Sequence, residues 1–334
     1  MQIVKPALHR AIVRKWRLVD SMRPLPEGAL NNLRGVFRTE FTYNSNAIEG
    51  NSLTLRETQL VIEEGQTIRG KSLREIYEAR NHPDAILYVE SLAREHRRLT
   101  ELDVLTLHQI IMKDVMQVRD VGRYRKGEVR IGGSKHIPSP AYDVPRLMEE
   151  LIDTLNNNPD EYTTVELAAI ILHRFVHIHP FYDGNGRVAR LLTNLVLMRK
   201  HYFPIIIPKS DRAKYLRYLD RADRGDYRPL VNFIAQYVIK HLDMVLRAIE
   251  QTPSDQKISL SEAAKLSSVS SDYLRVLANK GSIPAVKEGR NWVISESDIL
   301  EFVRKRGKRG SGGPSSASRT SPALTRISHV PVDQ

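Results

Sequence analysis

Between residues 165 and 176 the chain places Val165, Leu167, Ala168, Ile170, Ile171, Leu172, Phe175 and Val176 so that a helix there is apolar on nearly every face. Such a helix reads as central and buried. Pro180 must end it, because the residue before a proline is pushed out of the helical region. Helical periodicity also runs over 6–21, 28–41, 55–64, 73–96, 101–116, 144–156, 163–177, 187–200, 212–221 and 228–249. One stretch, 128–140, has extended character. Val129 and Ile131 alternate with charged residues there, Gly132 and Gly133 mark a turn, and Pro138 and Pro140 forbid a helix. The expected class is mainly α with one β-hairpin.

Composition narrows the chemistry. There are 334 residues and no cysteine, which excludes disulfides, thiolate metal sites, iron–sulfur clusters and a cysteine nucleophile. Apolar runs are too short to span a bilayer. His9, Arg10, Arg14 and Lys15 interrupt any leader-like apolar stretch, so the expected address is the cytoplasm, with no membrane partner. The expected organisation is a helical region over 1–100, a catalytic core over 101–250, a linker over 251–257, a small module over 258–303 and a tail over 304–334.

Chemistry concentrates in His179-Pro-Phe-Tyr-Asp-Gly-Asn-Gly-Arg-Val-Ala-Arg190. Gly184 and Gly186 permit backbone angles that turn successive amides toward one point, and with Asn185 they open a helix whose N-terminus is an anion site. Arg187 and Arg190, three apart, are expected to project from one face and clamp a polyphosphate. Asp183 offers a hard oxygen to Mg2+ bridging those phosphates. His179 is placed as general base for a hydroxyl attacking phosphorus. His173 and His177, at i and i+4, lack the glutamate of a zinc-binding helix and read as packing or hydrogen-bonded histidines.

Taken together, these residues match nine of nine specified positions of His-Pro-Phe-x-Asp-Gly-Asn-Gly-Arg-x-x-Arg, and the chain resembles the Fic family. The resemblance implies a Fic-type helical core and transfer of AMP from ATP to a Ser, Thr or Tyr hydroxyl of a protein, another or the chain itself. In that role His179 is the base, Asp183 holds Mg2+, Gly184, Asn185 and Gly186 line the anion hole, and Arg187 and Arg190 grip the outer phosphates. Gly122 to Pro140 looks like the family's flap hairpin. Its residues Ile131, Gly132, Gly133, Ser134, Lys135 and His136 would dock a target by strand addition. Ser45-Asn-Ala-Ile-Glu49-Gly50 resembles an inhibitory motif in which Glu49 pairs with Arg190. Asn44, Ser45 and Asn46 are poor helix formers, and a carboxylate at a helix end is disfavoured by the macrodipole. A basic partner would remedy that. The same site could run in reverse and remove AMP, or the body could only sense nucleotide for a DNA-binding regulator.

Residues 258–303 read as two short helices, a hairpin and a third helix. They resemble the winged helix-turn-helix of excisionase and MerR-type regulators, whose recognition helix would expose Ser271, Arg275 and Asn279. Six basic and six acidic residues between Lys257 and Glu301 leave the module neutral, so DNA binding and protein docking both stay open. From Arg304 onward seven basic residues face Asp333 alone. With 11 Gly, Ser or Pro in the 16 residues from Gly307, this region reads as a disordered basic tail, either solvated or seeking phosphate.

Overall fold

The computed structural model describes residues 3–95, 97–132, 136–251, 257–288 and 291–310. The chain divides into two units, Met1–Thr252 and Pro253–Gln334.

The first unit contains α1 (Pro6–Ser21), α2 (Glu27–Ile48), α3 (Leu55–Glu64), α4 (Leu73–Arg94), α5 (Glu101–Met112), α6 (Val144–Asn157), α7 (Thr164–Ile178), α8 (Asn185–Met198), α9 (Arg212–Asp223) and α10 (Arg228–Gln251). Four of these helices start on a reciprocal cap. Thr54 with Glu57, Ser72 with Glu75, Thr100 with Asp103 and Thr163 with Glu166 each satisfy two orphan backbone donors. The all-apolar segment is α7, sheathed by α6, α8 and α10. Ala168, Ile171, Leu172 and Phe175 on it have no exposed surface. Each large apolar side chain so buried stabilises the fold by about 1.5–3 kcal/mol. Glu166 does more than cap α7, since its Oε1 accepts the backbone N–H of Ile3 (2.6 Å) and Val4 (2.8 Å) and ties the chain's start to the central helix.

Several expectations need correction. α2 continues seven residues past Phe41, through Ser45, because its polar side chains find partners described below. α5 stops at Met112, where Asp114 takes a left-handed backbone (φ 60°). Of the hairpin expected over 128–140, the described residues 128–132 and 136–140 form no strand. Side-chain bonds hold that segment instead. Arg125 donates to the carbonyls of Gly127 (3.1 Å) and Ser139, Glu128 accepts the Ala141 N–H (3.0 Å), and the Tyr182 hydroxyl accepts the Gly127 N–H (3.0 Å). Gly133, Ser134 and Lys135 lie outside the described residues.

The second unit contains β1 (Lys257–Ser259), α11 (Leu260–Ser267), α12 (Ser271–Asn279), β2 (Val286–Glu288), β3 (Asn291–Ser295) and α13 (Glu296–Gly310). Its antiparallel sheet has the order β1-β3-β2, with Ile258 opposite Ile294 and Val286 opposite Val293. Strand β1 was not anticipated, since three residues carry no period. Leu260, Ala263, Leu274, Ala278, Ile283, Ile294 and Ile299 form a separate small core. Ser259 caps α11 in a box with Glu262, and Ser270 caps α12 at Tyr273. The boundary expected at 304 falls inside α13, which carries Arg304 to Arg309 as helix; Arg and Lys are good helix formers, and cations suit a helix C-terminus. Residues 311–334 of the expected tail, and 252–256 of the expected linker, lie outside the described residues.

Candidate active site

α7 ends on His179, whose left-handed backbone (φ 54°, ψ 58°) turns the chain out of the helix. Five residues later Gly184 (φ 78°) starts α8. Asn185 closes the loop between them. Its Oδ1 accepts from Phe181 N at 3.0 Å and its Nδ2 donates to Phe181 O at 2.8 Å. Phe181 is wholly buried and stacks on the His108 ring at 3.7 Å. His108 in turn accepts the Gly122 N–H at Nδ1 (3.0 Å) and donates from Nε2 to Asp183 O (3.1 Å). That tautomer requires a neutral ring, and burial supplies it by pushing the His108 pKa down to about 4. Packing thus holds the loop rigid from beneath.

His179 lines a cleft of ≈ 650 Å³ together with Glu49, Asp183, Gly184, Gly186 and Arg190. The size suits a nucleotide. The His179 Nδ1 lies 3.3 Å from the Val176 carbonyl and donates to it, so Nε2 is the basic nitrogen. Burial lowers the imidazole below its ordinary pKa, and this outweighs the Val176 bond acting the other way. The ring is therefore neutral at physiological pH and able to take a proton.

The two arginines of the motif diverge. Arg190, 3% exposed, turns to the C-terminal end of α2; its Nε donates to Ser45 Oγ (3.0 Å), and its Nη2 donates to Ser45 O (2.8 Å) and Glu49 Oε1 (2.7 Å). Arg187, 1% exposed, turns to α4, with Nη1 3.0 Å from Glu78 Oε1, and reaches Asp183 Oδ1 with Nη2 at 3.1 Å. Each finds a different carboxylate, Glu78 of α4 for Arg187 and Glu49 at the end of α2 for Arg190.

Glu49 sits directly on the anion loop. A Cβ built on Gly186 would come 2.1 Å from Glu49 Oε1, so only glycine leaves room for the carboxylate over the first turn of α8. A carboxylate at the end of α2 opposes that helix's dipole, but the same group faces the positive end of α8 and Arg190. The poor helix formers beside it are held by tertiary bonds. Asn44 Oδ1 accepts from Lys209 N (2.9 Å), and Asn46 Nδ2 donates to Glu78 O (3.1 Å).

Asp183 has its Oδ1 held by Arg187 and by Gly184 N (2.6 Å), while Arg74 of α4 pairs with its Oδ2. Burial works against its charge, yet Arg187, the Gly184 bond and Arg74 outweigh it and keep the carboxyl below its usual pKa. Ionised, it is a fit hard-oxygen donor for Mg2+, provided Arg74 releases Oδ2. Arg74 is 53% exposed in its side chain and can swing aside.

Of the expected docking segment, Ile131, Gly132 and His136 line the cleft. The residue that sequence reasoning missed is Arg125. It is 2% exposed and donates from Nε to His179 O (2.8 Å), as well as to Gly127, Ser139 and Ile178 carbonyls, fastening the 127–139 segment to the motif loop. In the second unit Arg275 and Asn279 are exposed on α12 and Ser271 is half-buried; Arg275 lies 3.6 Å from Asp272.

The Fic/DOC family pattern matches residues 98–197, and a helix-turn-helix domain pattern matches residues 258–307. The chain is 39% identical over 215 residues to a protein adenylyltransferase Fic of Drosophila willistoni, covering 63% of this chain and 42% of that one. It is 37% identical over 271 residues to the Drosophila melanogaster protein of the same name, covering 75% and 54%. The chain thus spans about half the length of the curated relatives it matches. Among solved structures, a Fic domain containing signaling protein from Bacteroides thetaiotaomicron shares 32% identity at a TM-score of 0.66, covering 72% of this chain and 97% of that one. Fic-1 from C. elegans shares 31% at 0.66, covering 73% of each. The chain belongs to the Fic/DOC family and carries a helix-turn-helix domain at its C-terminal end.

Proposed function

We propose that the chain is a protein adenylyltransferase that moves AMP from ATP to a hydroxyl of a target protein and is restrained by its own Glu49. The observation that carries this reading is a neutral, oriented His179 beside the amide nest at the start of α8. The relatives named protein adenylyltransferase support it.

In this mechanism the ATP phosphates lie over Gly184 to Gly186, where backbone N–H groups and the helix dipole stabilise their charge. His179 Nε2 accepts the proton of the target hydroxyl as its oxygen bonds to the α-phosphorus and the bond to the pyrophosphate oxygen breaks. Asp183 would hold Mg2+, which when bound neutralises phosphate charge. Arg190 would grip the outer phosphate once Glu49 leaves it. While Glu49 occupies that guanidinium and the space over Gly186, the triphosphate cannot adopt the in-line pose. The residues around His136 would align the target along the cleft. Through α12 the second unit would contact DNA, with Arg275 and Asn279 toward the bases.

Intact-mass analysis of the full chain and candidate targets incubated with ATP and Mg2+ tests the reading, an AMP adduct being the expected result. His179→Ala should abolish the adduct while ATP affinity stays within a few fold, since a base contributes little to ground-state binding. A His179→Ala chain that transfers AMP at near the unaltered rate would remove the histidine from the chemistry.

A further inference from the structure

Three elements bring imidazole and carboxylate groups together on the wall of the cleft. His136 comes from the extended segment, His177 from the last turn of α7, and Asp223 from the end of α9. We propose that His136, His177 and Asp223 form a binding site for a divalent transition-metal ion, with Zn2+ as its natural class. This stands apart from the transfer reading and needs neither ATP nor Glu49.

The geometry is the first argument. Among the described residues these three offer one ligand atom each within 4.8 Å of one another. The His177 Nδ1 lies 2.8 Å and the His136 Nδ1 3.9 Å from the same Asp223 Oδ1. A tetrahedral Zn2+ with bonds of 2.0–2.1 Å separates its donors by about 3.3 Å, a value these two distances bracket. Rotations of side chains, without backbone motion, would open the first distance and close the second.

Orientation is the second argument. His136 Nε2 lies 2.8 Å from the His177 carbonyl and donates to it, which makes Nδ1 the nitrogen able to coordinate. Metal-ligating histidines are held in this way, by a hydrogen bond from the other ring nitrogen. The carboxylate is held too. His173, 5% exposed in its side chain, donates from Nε2 to Asp223 Oδ1 at 2.9 Å and would remain as an outer support. The i, i+4 pair expected from the sequence to be hydrogen-bonded is indeed bonded to Asp223, and the third imidazole comes from 41 residues earlier in the chain.

Donor chemistry decides the metal. Two imidazoles and one carboxylate suit Zn2+ or Co2+ and are poor for Mg2+ or Ca2+, which prefer all-oxygen shells. On binding, His177 Nδ1 gives up the proton it now donates to Asp223 while Nε2 gains one from solvent, so the ring stays neutral and a metal–nitrogen bond replaces the hydrogen bond. With His177 41% exposed in its side chain, a fourth position faces the cleft for water.

The test uses the full chain without nucleotide. Co2+ is titrated against visible absorption, where tetrahedral coordination produces strong d–d bands, and Zn2+ is then added as competitor. The expected result is a saturable signal at one Co2+ per chain, displaced by Zn2+. His136→Gln and Asp223→Asn should each weaken binding on the order of tenfold to a hundredfold. Zn2+ should also raise the melting temperature of the unaltered chain and leave that of His136→Gln, a change in an extended segment outside the core, unmoved. Absence of tetrahedral bands, or equal binding by the unaltered chain and both variants, overturns the site.

Discussion

Arg125 is a buried guanidinium whose work is done on carbonyls. Its donors reach the backbone oxygens of His179, Gly127, Ser139 and Ile178, so the residue that fixes the His179 backbone belongs to the neighbouring segment. Arg125→Met keeps the aliphatic stem and leaves those carbonyls without their donor. It should destabilise the first unit by roughly 3 kcal/mol, read as a lower urea midpoint, and slow AMP transfer more than it weakens ATP binding. Arg125→Lys should recover only part, because an ammonium cannot fork across several carbonyls. If Arg125→Met unfolds at the same urea concentration as the unaltered chain, the staple is not structural. In the sequence Arg125 is one basic residue in Gly122-Arg-Tyr-Arg-Lys, and neither its type nor its spacing signals burial. The loop from His179 to Gly186 was legible as the break between two helices, because Pro180 ends one and the Gly-Asn-Gly run opens the next. The divergence of Arg187 and Arg190 was not, since each is set by a carboxylate more than a hundred residues away.

At the scale of elements, propensity and tertiary bonding compete most visibly in α2. Asn44, Ser45 and Asn46 end the helical pattern on paper, yet each bonds a different neighbour and the helix runs on to deliver Glu49. Around the expected hairpin the alternation at Val129 and Ile131 does not lead to a ladder among the described residues, where bonds from Arg125 and to Tyr182 hold the segment instead. In the second unit, α13 carries the basic run that the composition assigned to a tail. Full-length chain should bind duplex DNA at low salt by fluorescence anisotropy. Truncation after Val303, which removes the end of α13, should weaken binding alike on all sequences and flatten the salt dependence. Arg275→Ala should relax preference at one base position. No binding to any duplex at low salt would make this domain a protein-docking element.

For the whole molecule, acid should be destabilising in a definite window. His82, His108 and His241 are buried, and burial pushes their pKa values down to about 3, 4 and 4. The folded chain keeps them neutral, while unfolded imidazoles take protons near pH 6.5. Their neutral-state stability is therefore complete above pH 6.5 and is lost as pH falls toward 4, by up to about 1.4 kcal/mol per pH unit for each ring. Urea midpoints should fall steeply from pH 6.5 to 5; a flat profile would contradict the burial of these rings. The proposed restraint of activity belongs to the same scale, since it would run from the end of α2 to the motif between α7 and α8. The Glu49–Arg190 pair joins residues 141 apart and is the structural basis of that claim. The most direct measurement is the rate of AMP incorporation from ATP by the unaltered chain, Glu49→Gly and Glu49→Gly with Arg190→Ala. Freeing one charge-assisted contact of about 1.5–3 kcal/mol predicts that Glu49→Gly is faster by roughly ten- to a hundredfold, with much of the gain cancelled in the double variant. An unchanged rate in Glu49→Gly, together with lost release of AMP from a modified protein, would contradict restraint and assign Glu49 to hydrolysis instead.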